Sequence, residues 1–199
     1  MPRCPVPHSS QTLKLGFRSP PRSSFHRSGD SWLAPGMNAG ARKIVKRLGL
    51  GTLPAEGGFF RRVWQSETRL ANGRAASSSI LFLLTADDFS AWHRLRSGEL
   101  WTFIGGDPVE VVQIDAANGN PRTTLLGADW LVDEAPQCVI AANTWQAAWL
   151  KPGRIALGWA LLGCTVTPAW DEKEFELGHR ETLLREFPRA EALILALTR

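Results

Sequence analysis

The sequence predicts a single all-β domain of the sandwich or barrel kind, with a short helix before it and helices after it. Two observations carry that reading. Short runs of apolar or alternating residues recur between turns rich in Gly, Pro and Asn, as in sandwiches and barrels. Helical spacing is confined to the two ends of this region. The 199 residues, 44% hydrophobic, suit one domain with or without a tail.

In chain order, Ile44, Val45, Leu48 and Leu50 fall near helical spacing over 41–50, and Gly49 and Gly51 stop that helix. Strands are expected at 59–65 and 79–84, the second apolar enough to be buried on both faces. Segments 90–95 and 99–104 flank Gly98 and read as a hairpin. Further strands follow at 108–114, 122–126, 137–141, 144–150 and 155–165. Helices at 180–187 and 190–197 end the chain, split at Pro188, which is tolerated in a first helical turn.

Charge separates the front of the chain from the rest. Arg3, Lys14, Arg18, Arg22 and Arg27 face Asp30 alone in residues 1–36, whereas basic and acidic side chains balance over 37–199. The basic balance belongs to the front segment, so a nucleic-acid-binding domain is not inferred. Residues 1–40 read as a disordered basic tail or a mis-assigned start with Met37 as the first residue, and an Arg- and Ser-rich, acid-poor start also fits an organelle transit peptide. The domain is set at 41–199. No apolar run reaches the roughly 18 residues of a membrane span. Cys4, Cys138 and Cys164 are too few and too far apart for a disulfide framework or zinc knuckle. Cys138 and Cys164 read as small buried hydrophobes, and the compartment as reducing, most simply the cytoplasm.

Candidate chemistry concentrates in Trp92–Gly106. Strand alternation puts His93 with Leu95 on one face, and Glu99, Trp101 and Phe103 on one face of the next strand. An imidazole and a carboxylate are thereby aimed at one cavity. In Ala141–Leu150, Gln146 and Ala148 share a side.

These residues resemble the cupin superfamily. His93, Glu99 and Gly106 match its first motif, with Leu95 where the motif has a second His, and Gln146 stands in the second motif's His slot. A more specific set, LGLGTLPAEGGFFRR, SSSILFLL, FSAWHRLRSGELW, GDPVEV, NTWQAA, GCTVTPAW and FELGHRETLLREFP, resembles the cupin_5 family in order over about residues 46–198. Thr102 and Asn143 stand where that family has His and Gly. The resemblance implies a double-stranded β-helix, or jelly-roll barrel, and a homodimer, which the edge strands of an open jelly roll also favour. It implies no particular reaction.

Several functional readings stay open. His93, Glu99 and Gln146 are the candidate ligands of a loosely held divalent metal. A metal-free His93–Glu99 pair suits proton transfer in an isomerase or epimerase, with no Tyr in the chain to serve as a phenol acid. Trp101, Phe103, Gln146 and Arg61 are candidate ligand contacts for a sugar-like or anionic small molecule, and Trp92, Trp145 and Trp149 cluster near the same motifs. Glu56–Gly57–Gly58 reads as a hinged arm supplying Arg61 or Arg62. Trp64, Trp159 and Trp170 read as core, Asp87–Asp88 as a solvated turn, and Gly105–Pro108 as a tight turn. The classes carried forward are an acid–base enzyme, a non-catalytic ligand-binding cupin, and a structural protein with a filled barrel.

Overall fold

A computed structural model describes residues 37–114 and 118–199. The expected tail, apart from Met37–Gly40, lies outside the described residues, as does Cys4. Helix α1 (Ala39–Leu48) begins where the Asn38 side chain accepts the Ala41 N–H at 2.8 Å, and ends where Gly49 turns left-handed at φ 62°. Its Ala41 and Val45 pack with Met37, Leu50, Phe59 and Leu83 on the outside of the first sheet.

That sheet has six strands. From edge to edge they are β1 (Gly51–Thr52), β2 (Phe59–Gln65), β3 (Ser78–Thr85), β10 (Trp159–Thr167), β5 (Gly98–Gly106) and β8 (Gln137–Ile140). The second sheet has five, β11 (Phe175–Leu177), β4 (Ser90–Leu95), β9 (Trp145–Leu150), β6 (Val109–Ile114) and β7 (Pro121–Leu126). All the pairings between these strands are antiparallel. Alternation sends Phe82, Leu84, Trp101 and Leu162 of one sheet against Val109, Val111, Ala148 and Leu150 of the other, forming the barrel core.

The central strands of the five-stranded sheet, β4, β9 and β6, are buried on both faces. Its outer face carries Trp92, Val112, Ile114, Trp145 and Ala147, covered by Leu183 of α2 (Arg180–Glu186) and by Ile194 and Leu197 of α3 (Glu191–Leu197). The Trp92 indole N–H donates to the Leu193 carbonyl at 3.1 Å, so burial costs it no hydrogen bond. Burying a side chain of that size contributes about 3 kcal/mol. Trp92, Trp145 and Trp149 therefore belong with the helices and not with the pocket: each sits one residue out of phase with the inward-facing His93, Gln146 and Ala148.

The expected hairpin of β4 and β5 does not form. β4 pairs with β9 and β11, and β5 with β10 and β8, so the two strands lie in opposite sheets. Both strands need two neighbours and a covered face, which a crossover between sheets supplies. Ser97 is buried at this corner, where it donates to Glu174 Oε2 and accepts from Arg74 Nη2, both at 2.9 Å. Arg74 also pairs with Glu174 Oε1 at 2.6 Å and donates to the Ala169 and Pro168 carbonyls. β10 begins later than expected, because residues 156–158 are drawn into a loop around buried Asp107. Asn143, at the position where the resembling family has Gly, takes φ 63°, a left-handed conformation that Asn tolerates. Among the described residues no helix is long and apolar enough to cross a membrane.

Candidate functional site

The side chains between the sheets leave a cavity of about 370 Å³ at one end of the barrel. That is within the range of small-molecule sites. His93, Glu99 and Trp101 line it, with Glu56, Phe60, Phe82, Cys164 and Phe175, and Arg62, Trp170 and Glu172 among the more exposed residues. His93 comes from β4 and Glu99 from β5, so the pair spans the barrel from opposite sheets.

His93 is fixed on two sides. Its ring stacks on Phe175, centroids 5.5 Å apart and planes 22° apart. Its Nδ1 lies 2.8 Å from the Ala91 carbonyl, which only accepts, so Nδ1 carries the proton. Nε2 is turned toward Glu56, 4.0 Å from Oε2. Glu56 is held in turn by the Ser90 hydroxyl, which donates to its Oε1 at 2.6 Å.

Glu99 is buried and accepts one side-chain hydrogen bond, from Gln146 Nε2 at 2.6 Å. Register explains the reach: Gln146 pairs opposite His93 in the β4–β9 ladder and extends toward the facing sheet. Burial raises the Glu99 pKa above the usual carboxylate range. The charge on His93 and the Gln146 hydrogen bond oppose that shift, and the charge on Glu56 adds to it. Trp101 Nε1 is near enough to lower the Glu99 pKa slightly but falls outside hydrogen-bond geometry, and is left buried without a partner among the described residues. Burial and the charges on Glu99 and Glu56 push the Cys164 thiol well above its ordinary value, so it is not a thiolate nucleophile at neutral pH.

His93, Glu99 and Trp101 are brought together as the sequence suggested, although no direct hydrogen bond joins His93 to Glu99. The other candidates sit elsewhere. Gln146 stands behind Glu99 and does not line the cavity. Phe103 faces inward but packs in the barrel core opposite Leu162. Arg61 is exposed and paired with Leu81, whose side chain belongs to the outer cluster under α1; by alternation Phe60 and Arg62 take the cavity side. Trp170 lines the cavity mouth instead of filling core. Asp88 is not a free turn residue: it accepts the Gly58 N–H at 2.7 Å and pairs with Arg199.

Glu56 and Phe175 were the residues sequence reasoning missed. The only signal for Glu56 was the adjacent glycine pair. Gly57 and Gly58 have φ of 104° and 73°, and a Cβ on them would lie 2.2 Å from the Phe89 carbonyl and 2.7 Å from the Phe82 ring. Only glycine lets this segment fold back and deliver Glu56 to His93.

The metal set His93, Glu99 and Gln146 does not fit a cation. Gln146 turns its N–H toward Glu99, a donor where a metal needs a lone pair. Among the described residues no three His, Cys, Asp or Glu side chains gather at one point.

Two antiparallel sheets around one ligand-sized cavity, with an inward His and Glu from successive strands, define a cupin-type barrel. The chain belongs to the Cupin_5 family of the cupin superfamily (DUF985), whose profile matches residues 42–178. It is similar to a protein of Shewanella oneidensis of known crystal structure, with 33% identity and a TM-score of 0.73 over 80% of this chain and 97% of that one. A hypothetical protein from Leishmania major has 27% identity and a TM-score of 0.73 over 79% of this chain and 98% of that one. No curated protein matches the chain in sequence.

Proposed function

We propose that the cavity binds a small organic molecule and that His93 and Glu99 exchange a proton with it, as in an isomerase or epimerase. The observation that supports this reading is one imidazole and one buried carboxyl, on opposite sheets, facing the same cavity. His93 keeps its Nδ1 proton on the Ala91 carbonyl and offers the Nε2 lone pair as base, and Glu56 stabilises the imidazolium that forms. Glu99, whose pKa burial raises, serves as the acid on the opposite side. One group takes a proton and the other returns one, so the step balances without a co-reactant.

A second reading, a cupin that binds without turnover, is favoured by the Gln146 hydrogen bond, which occupies one Glu99 oxygen. Both are tested by thermal shift against a library of small organic molecules, with and without divalent metals, followed by proton–deuterium exchange of each hit in D₂O. A stabilising ligand whose carbon-bound hydrogen exchanges supports proton transfer, and Glu99→Gln abolishes the exchange. Stabilisation without exchange leaves the binder. A library without a hit overturns both.

We also propose a homodimer. Ile104 and Val139 stand exposed on the outer face of the six-stranded sheet, near its β8 edge. Light scattering is expected to give twice the 21.9 kDa chain mass, and Val139→Lys to lower it.

A further inference from the structure

We infer that the cavity takes a small organic ammonium ion that also carries an oxygen atom, its charge between Glu56 and Glu99 and its carbon shell against Phe60, Phe82, Trp101 and Phe175. This rests on the pocket reading above and names the class of ligand.

Charge comes first. Two carboxylates, Glu56 and Glu99, share the interior of the cavity, with only the His93 ring to offset them. A third, Glu172, stands nearer solvent, where the one guanidinium, Arg62, is exposed and bonded to Gln65 Oε1 at 3.3 Å. An anion entering this space meets like charge at close range in a poorly solvated site. A cation pairs with the Glu56 carboxylate and makes the buried Glu99 easier to ionise beside it.

Wall chemistry then selects among cations. Aromatic rings surround the charged groups, and rings attract ammonium ions that have few hydrogen-bond demands of their own. A bare metal ion lacks its donors here, for the reasons already given.

The polar inventory argues against a sugar. Glu56 Oε1 is taken by Ser90, Glu99 Oε2 by Gln146 and His93 Nδ1 by the Ala91 carbonyl. A polyhydroxylated ring would leave hydroxyl groups facing apolar walls without partners, which costs about 1–3 kcal/mol each. A single acceptor is catered for, because the buried Trp101 N–H has no partner among the described residues. That unpaired donor is why the ligand is assigned an oxygen.

The test is titration calorimetry on the full chain with three probes: choline, its uncharged carbon isostere neohexyl alcohol, and benzoate. Choline is expected to bind about tenfold or more tightly than neohexyl alcohol. Glu56→Gln is expected to remove that advantage while leaving the alcohol's affinity unchanged. If Glu56→Gln loses its melting transition, the shape-conserving Glu99→Gln reads the same advantage. Neohexyl alcohol binding as tightly as choline, or benzoate binding more tightly than either, overturns the ammonium assignment and leaves the pocket reading standing. Binding of none of the three overturns the ammonium assignment, and the pocket reading is then decided by the wider library.

Discussion

Strand β5 has a buried carboxylate at each end, and the two live in different surroundings. Asp107, just past its last residue, is 3% exposed and saturated: it accepts the backbone N–H groups of Ala156, Leu157 and Gly158 at 2.6–3.0 Å. Glu99, near its start, is 8% exposed and has one side-chain donor, Gln146, with a cavity in front of it. Burial is similar and the partner lists are not. A carboxylate whose lone pairs are all answered by backbone donors is part of the scaffold. One answered once, beside an unpaired indole N–H, keeps bonding capacity in reserve for something that enters the cavity.

The largest effect follows from breaking the saturated end. Asp107→Ala strands three backbone N–H groups in the loop before β10 and is expected to cost about 3 kcal/mol. At a few degrees per kcal/mol for a domain of this size, the melting temperature falls by on the order of 10 °C. Choline affinity, measured well below that temperature, should be unchanged. A loss of binding equal to that of Glu56→Gln would mean the two ends of β5 are not separable in the way the comparison says.

A smaller loss is expected at the segment that brings a second carboxylate to the unsaturated end. Gly58→Ala places a methyl group 2.7 Å from the Phe82 ring at a backbone φ of 73°. Left-handed strain alone costs about 1–2 kcal/mol for a residue with a Cβ. The Gly58 N–H that bonds Asp88 then shifts, and Glu56 with it. Stability should fall less than for Asp107→Ala, while ligand response is lost, the reverse of the balance expected there. An unaltered ligand response would separate Glu56 from the site.

How far the sequence foretold this division depends on how local each signal is. Alternation along single strands was enough to place nearly every strand, and to aim His93, Glu99 and Trp101 inward. The hinged arm left Arg61 and Arg62 both open, and naming Arg61 as the contact missed the parity of β2, which gives the cavity side to Arg62. It also failed for the β4–β5 connection, because a Gly-containing turn between two strands looks the same whether the chain doubles back or crosses to the other sheet. β1 and β11, of two and three residues, are too short to show a period. Glu56 and Phe175 reach the cavity only through the folding back of one segment and the pairing of β11 with β4, neither of which leaves a pattern in the neighbouring residues. Asp107 read as a turn residue, and nothing local announced its three distant donors.

The smallest effect on stability is expected at Glu99, and its pH dependence identifies it. Burial raises the folded-state pKa of Glu99 above its unfolded value. Between those two values the folded chain holds a proton that the unfolded chain has released, so stability falls as pH rises through that window. Below the unfolded pKa both states are protonated and the penalty is absent. Each unit of elevation is worth about 1.4 kcal/mol once pH exceeds the folded pKa. Glu99→Gln keeps the shape and cannot ionise, so its stability relative to the unchanged chain should be near equal at the acid end and should improve steadily as pH rises. His93, Glu56, Cys164 and Gln146 all face Glu99, and the raised pKa is the net of burial and Glu56 against His93 and Gln146. Urea unfolding of both chains at intervals of pH measures the difference directly. A variant that loses ground as pH rises would mean that Glu99 is held ionised by its neighbours, as a saturated carboxylate is, and the contrast between the two ends of β5 would be gone.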